Sequence, residues 1–371
     1  MTDFDVIVLG AGPAGAAAAA EARAQGLSVA LVDRAAFPRD KLCGGGVTGR
    51  AQKVIGRVFG TFPEVPYLDC HGVRFMAGLR ELGRMDGLPA IRMVMRRSFD
   101  AGLRDLALAR GAVPFTGRAT LDGTSLILAG GRISGRVLIG ADGVSSVVGR
   151  ALHGRAFDPA HIGLALEVEL PGPPPPDAVA EIDLSGPLGG YGWSFPKLDS
   201  LTLGIGGVER ANPAMRQDFD RWLLPRGGAG LKVKGHHLPG GERRPAPGRG
   251  AVLLAGDAAG LVDPLTGEGI AWAIHSGALA AQAAAAALAL GRPETAAAQY
   301  LPQIRAVQDE IARARRIVRL VQHPWLRGRF HAALARNPNL QRRFMALLAG
   351  EIDYKDTSLL RMAARMTGLR C

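Results

Sequence analysis

The chain has 371 residues, 47% of them hydrophobic, and its 45 Lys and Arg against 33 Asp and Glu give a net charge of +12. This length can bury a large core divided between two or three lobes, while three cysteines (Cys43, Cys70 and Cys371) are too few for a disulfide framework. The sequence shows neither an apolar run long enough to cross a bilayer nor an export signal, so a cytoplasmic enzyme is expected.

The first elements predict a β-α-β unit. Asp5–Leu9 is a short apolar strand, Ala14–Ala24 an alanine-rich helix and Leu27–Val32 a second strand. The turn between the first two reads Gly10-Ala-Gly-Pro-Ala-Gly15, in the strand-to-helix context that this glycine fingerprint requires. The unit therefore predicts a doubly wound sheet that binds a dinucleotide.

Each glycine of the turn has a physical role. Gly10 allows the tight turn, Gly12 lets a pyrophosphate approach the backbone, and Gly15 lets helix and strand pack closely. The helix N-terminus offers free N–H groups to phosphates, and Asp33, 18 residues after Gly15, can accept hydrogen bonds from a ribose diol. The neighbouring residues expected to contact the cofactor are Pro13, Ala14 and Arg34.

Further along, Phe37–Gly49 is predicted to be a glycine-rich loop and Ser98–Arg110 a helix. Buried strands are predicted at Val137–Gly140 and Ala251–Ala255, with strands and Pro- and Gly-rich turns between His161 and Glu209. A long helix starts near Gly269, and nearly everything after Pro302 is expected to be helical.

This order predicts an α/β fold with an α+β insertion. A discontinuous Rossmann-like domain that binds the dinucleotide would comprise residues 1–65, 95–158 and 245–300. An inserted antiparallel-sheet substrate domain would comprise residues 66–94 and 159–244. Residues 301–371 would form a basic, helical C-terminal region.

Two later turns distinguish FAD from NAD. One buried strand ends at Asp142-Gly143, and the other at Gly256-Asp257, followed by Pro264-Leu-Thr-Gly267-Glu-Gly269-Ile270. Asp257 can hold a ribityl hydroxyl. A helix starting at Gly267 to Gly269 would direct its positive end at the flavin edge that becomes negative on reduction. A NAD dehydrogenase has no use for this second site, so the predicted cofactor is FAD.

The three segments together resemble the flavoprotein hydroxylase superfamily, which has the p-hydroxybenzoate hydroxylase-like fold. The resemblance implies that Arg96, before Ser98-Phe99-Asp100, contacts the flavin, with Arg97 as an equal alternative. It also implies that NAD(P)H docks transiently, because nothing marks a second dinucleotide domain.

Two further strings resemble the geranylgeranyl reductase family. They are Cys43-Gly44-Gly45-Gly46 and Tyr191-Gly-Trp193-Ser-Phe195-Pro196, the second followed after seven residues by Gly204-Ile-Gly206. The resemblance runs from Asp5 to about Tyr354. It implies that the Cys-Gly-Gly loop faces the flavin, and that the aromatic segment with its Gly-x-Gly lines a substrate channel.

The residues agree with this chemistry. In a strand, Tyr191, Trp193 and Phe195 project to one face and form a wall for an isoprenoid chain, while Gly204 and Gly206 leave room beside it; ordinary core packing would give the same alternation. Cys43 is a candidate acid that protonates one alkene carbon while flavin N5 delivers hydride to the other. In the alternative, water supplies the proton and Cys43 only shapes the pocket. Cys70 and Cys371 are interpreted as structural. His236-His237 is interpreted as an exposed turn, and no metal site is implied.

The expected function is FAD-dependent saturation of prenyl C=C bonds on a lipid, quinone or pigment, with NAD(P)H or a ferredoxin-like protein as electron donor. An aromatic monooxygenase or a halogenase is the alternative, although halogenases of this superfamily carry Trp-x-Trp-x-Ile-Pro instead. A flavin-binding regulator without turnover is a third hypothesis.

The positive charge is concentrated at the C-terminal end of the chain. Residues 303–371 hold 14 Lys and Arg against 5 Asp and Glu. This asymmetry predicts peripheral membrane contact through Arg313, Arg315, Arg316 and Arg319, whereas nucleic acid is disfavoured because no aromatic platform or zinc spacing accompanies the charge.

Overall fold

The computed structural model describes residues 2–240, 244 and 246–356, so Cys371 and the predicted tail 357–371 lie outside the described residues. In chain order the strands are β1 (Thr2–Leu9), β2 (Val29–Asp33), β3 (Gly46–Val47), β4 (Tyr67–Cys70), β5 (Val73–Ala77), β6 (Arg80–Met85), β7 (Ile91–Val94), β8 (Val113–Thr116), β9 (Thr120–Asp122), β10 (Ser125–Leu128), β11 (Gly131–Gly140), β12 (Gly163–Pro171), β13 (Ala180–Asp183), β14 (Tyr191–Pro196), β15 (Ser200–Val208), β16 (Lys234–Leu238), β17 (Gly248–Arg249) and β18 (Val252–Leu254). The α-helices are α1 (Pro13–Ala24), α2 (Gly49–Phe59), α3 (Arg96–Ala109), α4 (Val147–His153), α5 (Met215–Leu223), α6 (Ile270–Ala289), α7 (Ala296–Val321), α8 (Pro324–Arg336) and α9 (Pro338–Ala349).

The first sheet is assembled from three distant parts of the chain. Its order is β17-β18-β11-β1-β2-β8, and the pairs from β18 to β8 are all parallel. The segments 6–9, 29–32 and 137–139 of its central strands are apolar and buried, as is usual for a parallel sheet covered by helices. Pro114, which lacks an N–H, lies in β8 at the edge of this sheet, where a proline is tolerated.

Helices α1 and α6 pack very closely beside this sheet. A Cβ atom on Gly277 would lie 3.0 Å from the Ala14 carbonyl carbon, and one on Gly256 would lie 2.9 Å from the Ala14 Cβ. The small residues of both helices let their backbones approach, so the ends of α1 and α6 that carry the glycine turns are held together. By length and composition, α6 is the single described helix that could span a membrane, but 72% of its apolar window is buried inside the protein.

The inserted lobe is a seven-stranded sheet of order β16-β12-β15-β14-β13-β5-β6. The lobe is antiparallel, as predicted, in every pairing except that of β13 with β5, which is parallel. These two strands come from segments separated by the part of the chain that contains α3 and β11, so no hairpin forces them to be antiparallel. Strand β7 pairs instead with β3 on one side and β4 on the other, in a separate three-stranded sheet of order β3-β7-β4.

Two local predictions also need correction. The predicted loop 37–49 contains β3 and leads into α2, whose start is capped by the Thr48 side chain accepting from the Ala51 N–H. Helix α7 begins at Ala296, before the predicted start near Pro302, and contains Pro302 in its interior, where the missing N–H removes one intrahelical hydrogen bond. Helices α8 and α9 then cover the seven-stranded sheet, with Phe344 edge-on to Phe75.

Candidate active site

The glycine turn lies where β1, β11 and α1 meet. Gly10 has φ 101°, and a Cβ there would lie 2.8 Å from the Asp142 Cα. A Cβ on Gly15 would lie 2.8 Å from the Gly10 carbonyl carbon. Gly12 is the N-cap of α1 and provides no side-chain cap, so the first N–H groups of this helix remain available to a phosphate.

Asp33 shapes the adjoining loop and leaves room for a ligand. Its Oδ2 accepts from the buried Ala11 N–H at 2.8 Å, and its Oδ1 accepts from Ala35 N–H at 2.9 Å. Arg39 lies 3.8 Å from Asp33 and 3.4 Å from the buried carboxylate of Asp100, with its guanidinium next to Gly12. The Arg39 guanidinium beside the uncapped start of α1 suits a pyrophosphate. The sequence alone did not predict a role for Arg39.

The two strand-end carboxylates have different environments. Asp142 accepts from the Ser146 hydroxyl at 2.5 Å and from Val147 N–H at 2.7 Å, so it caps the start of α4. Asp257 is half-buried, its carboxylate has no hydrogen-bond partner among the described residues, and its charge acts on Lys41. Burial lowers the pKa of Lys41, and the charge of Asp257 partly offsets this effect. Of the two carboxylates, Asp257 is the one free to bind a ligand hydroxyl.

The start of α6 forms the opposite side of the site. Gly269 is the N-cap of this helix and again offers no side chain. The Glu268 carboxylate accepts from Ala271 N–H at 3.0 Å and from the Thr48 hydroxyl, which ties the turn to α2. Burial raises the pKa of Glu268.

Tyr191 and Trp193 of β14 lie opposite the two glycines of β15. In the antiparallel pair of β14 and β15, Tyr191 faces Gly206 and Trp193 faces Gly204. A Cβ on Gly204 would overlap the Trp193 indole, so this glycine makes space for the ring. The Tyr191 hydroxyl donates to the Thr266 carbonyl at 2.8 Å, which links the wall to the turn before α6.

The Cys43 loop packs directly on this wall. A Cβ on Gly44 would lie 2.7 Å from the Phe195 ring and 3.2 Å from the Trp193 ring, so the loop must have glycine here. Gly45, with φ 72°, donates its N–H to the Cys43 sulfur at 3.4 Å. The two motifs that are far apart in sequence are therefore in contact.

Arg96 lies beside the same loop. Its Nε donates to Asp100 at 2.6 Å, and its guanidinium also hydrogen-bonds the Cys43 side chain. Burial alone would lower the pKa of Arg96, but the Asp100 carboxylate and Cys43 raise it, so the guanidinium stays charged. Arg97 is exposed, as is Arg34, whereas Pro196 is buried at the end of the wall.

Sequence reasoning missed a buried pair of titratable groups behind the Cys43 loop. Lys197 is 2% exposed, and its ammonium donates to the Gly44 carbonyl. Burial lowers the pKa of Lys197 to about 8. On β12, burial and the neighbouring Glu169 raise the pKa of Glu167 to about 7, although the Cys43 N–H donates to its carboxylate. Both groups can exchange protons near neutral pH.

The structure also corrects the interpretation of the histidines and adds detail on Cys70. His236 and His237 lie in β16 beside β12, and burial followed by the charge of Lys41 lowers the pKa of His236 to about 3. The Cys70 thiol is buried and donates to the Gly72 carbonyl at 3.2 Å.

An apolar cavity of ≈ 40 Å³ begins at the wall and runs beneath the C-terminal helices. Tyr191, Leu265 and Thr266 line one end, and Phe330, His331 and Leu334 of α8 line the other. The start of α1 has no side-chain cap, whereas Glu268 occupies one N–H of the first turn of α6. Together with the free carboxylate of Asp257 and the glycine turns, this arrangement suits an extended dinucleotide such as FAD, and the cavity adjoins it at Tyr191.

Comparison with known proteins agrees with this geometry. A family model described as FAD dependent oxidoreductase matches residues 5–66. The chain is 33% identical over 330 residues to menaquinone reductase of Mycolicibacterium smegmatis, covering 76% of each chain. It is 30% identical over 317 residues to geranylgeranyl diphosphate reductase of Rhodobacter capsulatus, covering 78% of this chain and 77% of the relative.

Solved structures share the fold. A geranylgeranyl bacteriochlorophyll reductase-like protein from Thermoplasma acidophilum superposes with a TM-score of 0.71 at 20% identity, covering 99% of this chain and 96% of that one. A flavin-dependent brominase superposes with a TM-score of 0.71 at 22% identity, covering 94% of each.

Proposed function

The chain belongs to the geranylgeranyl reductase family of FAD-dependent oxidoreductases, and from this premise we propose that it saturates C=C bonds of a prenyl chain. The observation that carries the proposal is the contact between the Cys43-Gly44-Gly45 loop and the Trp193–Phe195 part of the aromatic wall. This contact puts a thiol beside an apolar surface next to the expected flavin end of the site.

Reduced FAD, when bound, supplies the hydride that adds to one carbon of the alkene. Gly10, Gly12, Gly15 and Asp33 hold the nucleotide half of the cofactor, and Asp257 and the start of α6 hold its flavin half. The Cys43 thiol gives its proton to the second alkene carbon, so that one hydride and one proton complete the new C–H bonds. Arg96, held by Asp100, stabilises the thiolate that remains.

The aromatic wall and the cavity beneath α8 bind the prenyl chain. Their lining is apolar apart from a few polar groups, which suits a substrate without charge along its length. A prenylated quinone is the first acceptor to test, since one relative is named menaquinone reductase, and a geranylgeranyl lipid is the second. NAD(P)H or a ferredoxin-like protein reduces the flavin. The enzyme is cytoplasmic and binds the membrane peripherally.

Anaerobic turnover with mass spectrometry tests the proposal. The enzyme is reduced with dithionite and incubated with menaquinone or with a geranylgeranyl lipid in detergent. After any quinol has been reoxidised to quinone in air, we expect one product that gains the mass of two hydrogens for each prenyl C=C bond reduced. Loss of activity unless oxygen is admitted would instead support an aromatic monooxygenase or halogenase-like enzyme, which the brominase-like fold permits. Bound FAD with no turnover of any substrate would indicate a regulator.

Cys43→Ser tests the role of the thiol, with Cys70→Ser as its matched control. A serine hydroxyl is a far weaker acid, so we expect alkene reduction to fall by about 10²-fold or more while FAD content is unchanged. Cys70→Ser, the same substitution at a buried thiol away from the loop, should leave turnover within a few-fold of wild type. Equal rates for Cys43→Ser and wild type would assign the proton to water.

A further inference from the structure

Helix α8 carries an outward stripe of one aromatic and two basic residues. Trp325, Arg329 and Arg336 are all exposed and are spaced by four and seven residues, so they lie on one face of the helix. Trp325 is 84% exposed, the most of any large hydrophobic residue that the structure describes. The other tryptophans, Trp193, Trp222 and Trp272, are buried or partly buried.

The charge around this stripe has one sign. Residues 311–350 contain nine arginines and no Asp or Glu. Of the four arginines expected at the surface of α7, Arg313 pairs with Glu310, and Arg315 is only partly exposed and has partners of its own. Arg316 and Arg319 are exposed and extend the basic surface of α8 toward the end of α7. Such a surface is complementary to an anionic partner.

The opposite face of α8 lines the cavity of the active site. Phe330 and Leu334 point inward, and Arg327 donates to the Leu184 and Gly186 carbonyls at 2.8 and 2.7 Å. One helix therefore separates the basic surface from the passage that leads to Tyr191. The cavity of ≈ 40 Å³ has room for only a few water molecules, so a prenyl chain can enter only if its wall moves.

We propose that α8 docks on an anionic lipid bilayer through Trp325, Arg329 and Arg336, and that a prenyl chain passes from the bilayer into the cavity beneath this helix. Tryptophan together with arginine is enriched where a protein contacts the boundary between lipid headgroups and acyl chains. Each arginine near an anionic surface is expected to strengthen binding about fivefold. The second half of this proposal rests on the proposed function, while the first half does not.

Lipid binding is measured on the full, FAD-loaded chain with vesicles of phosphatidylcholine alone and of an equal mixture with phosphatidylglycerol. We expect binding to the mixture, weakened by salt, and quenching of tryptophan emission by lipids brominated on their acyl chains. Arg329→Ala with Arg336→Ala should weaken binding about 25-fold if each arginine contributes about fivefold. The matched control is Arg216→Ala with Arg221→Ala, two exposed arginines of α5.

Trp325→Phe identifies the surface that touches the lipid. This variant should keep most of the binding and lose nearly all of the quenching, because Trp193 and Trp272 are buried and Trp222 is only partly exposed. Quenching that survives in Trp325→Phe, or wild-type protein that ignores anionic vesicles, would overturn the proposal. Binding of an RNA oligonucleotide in place of vesicles, abolished by the Arg329 and Arg336 changes, would also overturn it.

The entry route is tested separately from the chemistry. The Arg329 and Arg336 double variant should need a several-fold higher concentration of substrate embedded in anionic vesicles, yet turn over a short water-soluble prenyl alcohol as wild type does. Equal loss with both substrates would overturn the entry route. Absence of turnover in wild type would count against the proposed function and leave the vesicle-binding result standing.

Discussion

Replacing Lys197 with Met should change how the stability of the protein depends on alkaline pH. The ammonium is 2% exposed, and its pKa is lowered to about 8 from 10.5. Between these values the unfolded chain binds the proton and the folded chain does not, so folding gains stability as pH rises. Met fills a similar volume without a charge, so the variant lacks this gain.

The size of the effect follows from the shift. The lowered pKa of Lys197 means that burying the charged ammonium costs the folded protein about 3 kcal/mol of stability at low pH. About 2 kcal/mol of this cost disappears between about pH 7 and about pH 9.5, as the buried group loses its proton. For a chain of 371 residues this amounts to a change in Tm of about 2–3 °C. Wild type should gain this much relative to Lys197→Met over that interval.

Thermal unfolding followed by tryptophan fluorescence at several pH values measures the difference. The comparison is made in a Glu167→Gln background, so that the titration of this neighbouring carboxylate does not enter. Lys197→Met should also loosen the Cys43 loop, seen as faster alkylation of Cys43, because the Gly44 carbonyl loses its donor. Parallel stability curves for the two proteins would show that the ammonium is hydrated, and would refute the buried contact.

Three further outcomes are expected. Wild type should lose about 3 kcal/mol of unfolding free energy relative to Glu167→Gln as pH rises from 4.5 through about 7, because the buried carboxyl must ionise. Unfolding curves between these pH values test this. Gly204→Ala should destabilise the protein by about 1–3 kcal/mol because the new Cβ meets the Trp193 indole, whereas Gly130→Ala, with open space around it, should be neutral in the same denaturant titration. Asp33→Ala should lower the ratio of flavin to polypeptide after gel filtration and cost about 1–3 kcal/mol, because the buried Ala11 N–H loses its acceptor; unchanged flavin content, as expected for the exposed Asp40→Ala, would contradict this role.

The parts of the site that sequence could predict depend on local rules. A glycine turn between a strand and a helix has few possible geometries, so the positions of Gly10 and Gly15 followed directly. The side of β14 that carries Tyr191 and Trp193 followed from the alternation of side chains in a strand. The prediction that Gly204 leaves room beside the wall is wrong, because the Trp193 indole itself fills the space over this glycine.

What could not be predicted depends on long-range packing. Lys197 meets the Cys43 loop from 153 residues away, and no local pattern encodes that approach. One signal was available: Glu167 and Glu169 stand on one face of an otherwise apolar strand, which marks a buried polar site. The parallel pairing of β13 with β5 and the capping role of Asp142 likewise depend on neighbours that meet only in the folded chain.

The three-part construction of the first sheet determines how much of the chain must be synthesised before it can bind FAD. Strand β1 is synthesised at the start, but its partner β11 begins at Gly131, and the second flavin-facing turn lies at Gly256–Gly269. At about 5–20 residues per second, synthesis of this span takes on the order of tens of seconds. During that time the nucleotide turn emerges without the strands and helix that complete it. No N-terminal fragment ending before α6 can therefore serve as a free-standing flavin carrier, and FAD capture is a late event in biosynthesis.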